Sequence, residues 1–239
     1  MKNTRWLSHC ISVLYPPRCM GCDQIIVHDT NLCPNCWKNI TFIHSPICTC
    51  CGTPFDHDSK QDKCAACLDQ PPLYTMARSA LAYCSYSRKF ITDFKFRDKT
   101  HYTNTLANWM ILAGNSCLNS GTIIIPVPLH RRRLINRTYN QSALLAKTIA
   151  KHTSKPAYLH GLLRTRHTTP QTQLSKSKRQ KNLKKAFTVN PTYADIIKGA
   201  SVILVDDVIT TETTINSCCK ALLDGGATKV NVLTLARKL

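Results

Sequence analysis

Four Cys-x-x-Cys pairs, Cys19/Cys22, Cys33/Cys36, Cys48/Cys51 and Cys64/Cys67, fill the first 70 residues and constrain folding more than any other feature of this 239-residue chain. Two residues between thiolates allow a tight knuckle to present both sulfurs to one tetrahedral ion, with Gly21 or Gly52 relieving the backbone. The four pairs therefore supply two closed Zn2+ sites. Consecutive pairing leaves ten residues between the first two knuckles and twelve between the last two, and closes the shortest loops; a cross-braced pairing is the alternative. Cys50 stands beside Cys51 as a competing ligand, and His28, His44 and His57 are nearby substitutes. Sites with four cysteine ligands keep no position open for a substrate. They fold a segment too small to build its own core, and they carry no catalysis.

No stretch approaches the ~20 apolar residues that span a bilayer, so no transmembrane segment is expected. Ser8, His9 and Ser12 interrupt what would be the apolar core of a signal peptide, and a cytoplasmic location follows. Thiols stay reduced there, which favours metal over disulfides for the 14 cysteines. Those outside the pairs, Cys10, Cys50, Cys84, Cys117, Cys218 and Cys219, read as small buried hydrophobes or bystanders.

The net charge is +19, and its placement matters more than its size. Residues 1–70 carry six charges of each sign and are neutral; the excess lies beyond. Between Asp98 and Asp195 there is no acidic residue, while the same stretch holds sixteen Lys and Arg. Polyanions are the natural partners of such a segment. The neutral cysteine module is a poor candidate for gripping nucleic acid; docking or orienting the basic part suits it better.

Gln70-Pro71-Pro72 marks a stiff junction, after which strands and helices alternate. The expected units are therefore 1–70, an N-terminal helix with a double zinc ribbon, and 73–239, an α/β domain. Residues 73–86 read as a strand region and 87–113 as one or two helices. The β-branched run 122–127 is a buried strand, 143–149 has helical spacing, 201–205 is a second buried strand, 213–224 a helix stopped by Gly225-Gly226, and 230–235 a third strand. Strand, helix, strand in this order forms a right-handed parallel unit, whose ligands lie at the carboxyl ends of its strands.

There the chain places Asp206-Asp207 and then Thr210, Thr211, Thr213 and Thr214. Paired carboxylates at a strand end can accept hydrogen bonds from two sugar hydroxyls, and threonines and amides opening the next helix can cradle a phosphate. The combination suits a ribose 5-phosphate.

Val205 to Thr214 resembles the phosphoribosyl pyrophosphate signature of type I phosphoribosyltransferases, and the chain is similar to the ComF family of competence proteins in particular. Supporting blocks are Pro126-Val127-Pro128-Leu129-His130 with Arg133; Arg137 to Gln141; and Arg164-Thr165-Arg166 through Gln171, Leu174, Arg179, Asn182 and Phe187. The resemblance implies a type I phosphoribosyltransferase fold, a parallel sheet flanked by helices, behind the zinc-ribbon module. It implies that Asp206 and Asp207 hold the ribose hydroxyls and that 210–214 hold the 5-phosphate. Leu129, His130, Arg133 and Arg137 would face the pyrophosphate, which brings Mg2+, and Arg164, Arg166, Gln171 and Arg179 would belong to a flap over it. Arginines suit that duty because they are permanently charged forked donors.

Two positions depart from the family pattern, which has glycine where this chain has Thr138 and Glu212. Glu212, the single glutamate of the protein, sits inside the phosphate loop. An inward side chain would weaken phosphate binding; one facing solvent or a flap arginine would change little. The expectation is weakened binding of phosphoribosyl pyrophosphate, relieved by Glu212→Gly.

The resemblance implies a role in natural transformation, with phosphoribosyl pyrophosphate and incoming single-stranded DNA as partners, other DNA-uptake proteins nearby, and a peripheral position at the cytosolic side of the inner membrane. Tyr102, Trp109, Tyr139 and Tyr158 are candidate stacking planes along the basic stretch, though equally candidate core residues. The alternative is an active phosphoribosyltransferase moving ribose 5-phosphate onto an unidentified acceptor. A third option is an adaptor that only senses the ligand.

Overall fold

The computed structural model describes residues 16–26, 31–55, 62–96, 99–129, 139–165 and 186–239. Residues 1–15, the start of the 1–70 unit expected to contain an N-terminal helix, lie outside them.

Two single-turn helices, α1 (Pro34–Lys38) and α2 (Ala65–Asp69), each begin right after a knuckle cysteine, Cys33 or Cys64. The Cys33 sulfur accepts the Cys36 amide and Pro34 opens α1, where a missing N–H costs nothing. Beyond the junction come β1 (Met76–Ala82), α3 (Ser85–Phe96), α4 (Thr103–Ala113), α5 (Asn115–Ser120) and β2 (Ile123–Pro126). Then follow α6 (Gln141–Thr153), the antiparallel pair β3 (Leu162–Arg164) and β4 (Phe187–Val189), α7 (Ala194–Ile197), β5 (Ser201–Ile209), α8 (Glu212–Asp224) and β6 (Lys229–Arg237).

The sheet has the order β1-β6-β5-β2 and is parallel throughout. Its strands are mainly apolar on both sides, as a sheet covered on both faces requires, and the buried Ser79 and Thr234 hydroxyls bond to each other at 2.7 Å between β1 and β6. Alternation along β5 sorts them: Ile203 and Val205 pack with Phe90, Leu106, Leu145 and Ile149, whereas Val202 and Leu204 pack with Ile197, Ile215 and Leu222. β5 runs four residues past the expected end at Val205, because β6 continues beside it and pairs Asp206 with Thr234 and Ile209 with Arg237. The acid pair therefore lies within the last turn-ward residues of a strand, held by the ladder, rather than in a loop beyond it.

The zinc module covers the outer edge of β1. Ile43 donates to the Ala80 carbonyl and Ala82 to that of Thr41, both at 2.9 Å, and Ala77 donates to the Cys50 carbonyl at 2.7 Å. An edge strand is thereby closed against foreign pairing. The two ribbons straddle the sheet. Cys19, Cys33 and Cys36 share the core of Phe90 and Trp109 on one face, and Cys48, Cys51 and Cys67 share that of Val232 and Ile215 on the other. The first ribbon is further tied by the 2.5 Å Lys99–Asp23 ion pair. No helix among the described residues is long and apolar enough to cross a membrane.

Candidate functional site

The eight paired cysteines form two sets, Cys19/Cys22/Cys33/Cys36 and Cys48/Cys51/Cys64/Cys67, each with all sulfurs within 4.8 Å of one another. Pairing is consecutive, as the loop lengths favour, and not cross-braced. Amide donors surround the sulfurs: Cys33 N–H lies 3.2 Å from Cys19 Sγ and Cys64 N–H 3.3 Å from Cys48 Sγ. Burial works against ionisation, yet these amides hold the Cys19 thiol down to about 7 and Cys48 down to about 6. Burial and the neighbouring sulfurs push Cys36 and Cys67 up. Four convergent soft donors with N–H···S support suit tetrahedral Zn2+, and the closed sets define structural zinc sites. Cys50 is outside its set, His44 is exposed and also outside, and His28 and His57 lie outside the described residues.

Gly21 and Gly52 are required by space. A Cβ at Gly21 would meet Cys36 Sγ at 2.7 Å; Gly52 has φ 72° and a Cβ there would meet the Ala77 carbonyl oxygen at 2.5 Å.

At the carboxyl end of the sheet, the start of α6, the end of α3 and the start of α8 converge on Asp206 and Asp207. Asn140 caps α6 by accepting the Ser142 and Ala143 amides at 3.1 and 3.4 Å. That cap sets Ser142, whose hydroxyl donates to Asp206 Oδ1 at 2.9 Å; the Asp207 amide donates to the same oxygen at 2.9 Å. Lys95 Nζ lies 2.9 Å from Asp207 Oδ2, with both side chains largely shielded. Burial, with Asp207 beside it, pushes the Asp206 carboxyl up to about 7. Gln141 is buried, donates to the Lys95 carbonyl at 3.0 Å, and so braces the helix end that carries Lys95. Oδ2 of Asp206 and Oδ1 of Asp207 stand outside these contacts.

Thr210 is exposed, and Thr211, in extended conformation (φ −138°, ψ 141°), is the N-cap of α8 and forms no side-chain capping bond. Thr213 and Thr214 lie half-buried in the first turn. The first-turn amides of α8 thus face the same end of the sheet as the acid pair. Glu212 opens the helix but turns back to the linker and β6: its Oε1 accepts the Tyr74 hydroxyl at 2.7 Å and lies 3.8 Å from Arg237 Nη2. Its partner is therefore neither solvent alone nor a flap arginine, and the premise for expecting a gain from Glu212→Gly is removed.

Leu129 follows β2 and is half-buried, whereas His130, Arg133 and Arg137 lie outside the described residues. Arg164 sits at the base of the β3–β4 pair with its guanidinium 5.3 Å from the Phe187 ring. Arg166, Gln171 and Arg179 of the expected flap lie outside the described residues. So do eleven of the sixteen Lys and Arg in the acid-free stretch; Lys147 and Lys151 are exposed one turn apart on α6.

Of the four aromatics that could be stacking planes or core residues, two are core residues. Tyr102 is 1% exposed, and Trp109 is 8% exposed inside a ring cluster with Trp37, Phe42 and Phe90. Trp37 and Phe42 of the N-terminal module pack their rings edge-on against Trp109 on α4. Tyr139 is partly buried and donates its hydroxyl to the Phe94 carbonyl at 2.6 Å, and Tyr158 tilts against Tyr193. Cys218 and Cys219 are buried, and burial pushes their thiols up, as small core residues require. Missed from the sequence were Lys95, Ser142, Tyr74 and Arg237, none of which belongs to a recognisable local motif.

A phosphoribosyltransferase-type α/β domain with a double zinc ribbon closed over its sheet edge is the class this geometry defines. Residues 10–68 match the double zinc ribbon domain and residues 141–239 the phosphoribosyl transferase domain. Competence protein F of Haemophilus influenzae is 31% identical over 226 residues, covering 92% of this chain and 96% of that protein. DNA utilization protein YhgH of Escherichia coli (strain K12) is 28% identical, covering 92% and 90%. The chain belongs to the ComF family of competence proteins. Among solved structures, orotate phosphoribosyltransferase from Aeropyrum pernix is similar at 17% identity and a TM-score of 0.33, covering 66% of this chain and 80% of that one.

Proposed function

We propose that this chain acts in natural transformation, binding phosphoribosyl pyrophosphate at Asp206-Asp207 and handling incoming single-stranded DNA on the cytosolic side of the inner membrane. The observation that carries the reading is the placement of two carboxylates near the carboxyl end of β5, a strand of a parallel sheet that leads directly into α8. Oδ2 of Asp206 and Oδ1 of Asp207 would accept the ribose hydroxyls, and Thr210 to Thr214 would receive the 5-phosphate through amides and hydroxyls. Among the described residues the clusters able to hold a metal are the two cysteine sets, so Mg2+ would arrive on the pyrophosphate oxygens, whose charge it neutralises. The basic residues within 130–137 and 164–185 would supply the remaining positive charge. The names of the relatives, a competence protein and a DNA utilization protein, support the DNA side of the reading.

Calorimetric titration of the zinc-loaded protein with phosphoribosyl pyrophosphate and Mg2+, repeated with single-stranded DNA present, tests both halves. Binding of each ligand is expected, with DNA affinity falling steeply with salt. Absence of ligand binding would sink the pocket reading, and salt-insensitive or absent DNA binding the other half. Linked affinities would mean one mechanism and independent affinities two.

The match of 141–239 to the phosphoribosyl transferase domain favours a second reading, transfer of ribose 5-phosphate to an acceptor. An acceptor lone pair would form the bond to C1 as the C1–O bond breaks and pyrophosphate leaves with that electron pair, the acceptor losing its proton. A screen of nucleobases and amines for pyrophosphate release decides it. Turnover abolished by Asp206→Asn and Asp207→Asn favours the enzyme; loss of transformation by these variants without any turnover favours a ligand-gated binder.

A further inference from the structure

The phosphate loop and the second zinc site are joined by one carboxylate. Glu212, first residue of α8, accepts the Tyr74 hydroxyl at 2.7 Å and lies 3.8 Å from Arg237 Nη2. Arg237 is 7% exposed, and its Nη1 donates to the carbonyl oxygen of Cys51, a ligand of the second zinc set. A buried guanidinium needs an anion, and the single glutamate of the chain provides it. Tyr74 is 3% exposed, and one residue before it Leu73 donates its amide to Asn216 Oδ1 at 3.3 Å, a turn further along α8.

The knuckle that carries Cys51 is itself clasped to the sheet. Ala77 donates to the Cys50 carbonyl at 2.7 Å, and both Arg78 terminal nitrogens lie 3.1 Å from the Thr49 carbonyl oxygen. Gly52, at φ 72°, lets the turn lie against the Ala77 carbonyl. The direction of the Cys51 carbonyl is thus set by the knuckle's shape, and that shape is set by the ion its sulfurs bind. Carbonyl, guanidinium, carboxylate and helix start form one continuous polar path.

We propose that Glu212 is a positioning residue through which zinc at Cys48, Cys51, Cys64 and Cys67 sets the phosphate affinity of the α8 start; this rests on the pocket reading above. With the ribbon loaded, Arg237 is held by Cys51 and in turn holds the Glu212 carboxylate away from the loop amides. With the ribbon unloaded, that hold is lost, and the carboxylate becomes free to compete with phosphate for the same amides. The glutamate in the phosphate loop thereby makes the pocket dependent on the ribbon.

The test uses full-length zinc-loaded protein, phosphoribosyl pyrophosphate with Mg2+ as the probe, and four variants. Cys64→Ser removes a ligand of the second site; Arg237→Met breaks the path at its centre; Glu212→Gln keeps an acceptor for Tyr74 but removes the charge; Lys99→Met breaks the ion pair that docks the first ribbon. Calorimetry is expected to show about tenfold weaker binding for Cys64→Ser and for Arg237→Met. Adding Glu212→Gln to either is expected to restore most of that loss, because the competing charge is gone, and Lys99→Met is expected to stay within about twofold of wild type. Additive losses, or unchanged binding in Arg237→Met, would overturn the proposal. Should Cys64→Ser not fold, the Arg237→Met and Glu212→Gln cycle decides alone. If wild type binds no ligand, the pocket reading fails; hydrogen exchange at residues 212–216 then decides the link, since removal of the second zinc must still deprotect them, and unchanged protection refutes it.

Discussion

Asp206 carries a cost that its site imposes and that a single substitution removes. Its carboxyl is partly buried beside Asp207, and it is pushed up from 3.8 to about 7 despite the Ser142 and Asp207 donors. An acid whose folded value lies above its unfolded one binds more protons when folded, so stability falls as pH rises between the two values and levels off above the higher. Between pH 6 and 8 the unfolded carboxyl is ionised throughout while the folded one titrates, so the wild type loses stability from this group, on the order of 1 kcal/mol. Asp206→Asn keeps an oxygen for the Ser142 hydroxyl and has no charge to bury. The stability difference between variant and wild type, from urea unfolding of zinc-loaded protein at both pH values, is therefore expected to move in favour of the variant at pH 8, by on the order of 1 kcal/mol. The pH window avoids acid, where the zinc thiolates would themselves be protonated. A difference that stays constant or moves the other way would refute the assignment of the burial cost to Asp206.

Three further outcomes follow from the geometry. Lys95→Met leaves Asp207 without its shielded partner and is expected to cost about 1–3 kcal/mol, most of it recovered in the double variant with Asp207→Asn; a double variant as unstable as the sum of its parts would exclude the ion pair as the cause. Cys36→Ser and Cys67→Ser are each expected to lower bound zinc from two ions per chain to one, measured by mass spectrometry under native conditions, whereas Cys50→Ser leaves two; a loss of both ions in either single variant would contradict two independent sets. Trp109→Ala empties the centre of the ring cluster between the first ribbon and α3, and is expected to cost about 3–5 kcal/mol in chemical unfolding while single-strand binding by the folded fraction is unchanged.

The sequence by itself determined the features built from neighbours in the chain. Spacing of two between cysteines made knuckles, and loops of ten and twelve residues favoured consecutive pairing, because a short loop loses the least entropy on closing. Apolar β-branched runs marked β2, β5 and β6, since strands covered on both faces of a parallel sheet are largely apolar along their length. The acid pair lies near the end of one of those strands and the threonines follow it directly, so this candidate site was legible in the sequence. What only the tertiary structure decided are contacts between residues far apart. Ser142 meets Asp206 across 64 positions, Tyr74 meets Glu212 across 138, and Arg237 meets Cys51 across 186. Lys95 reaches Asp207 and Trp109 disappears beneath the first ribbon for the same reason. No local pattern encodes such partners, because which side chains meet depends on how strands are ordered and how helices are laid over them. Glu212 shows the difference most sharply: in the sequence it is an unwelcome charge in a phosphate loop, and in the fold it is the counter-ion of an arginine that holds a zinc ribbon to the sheet.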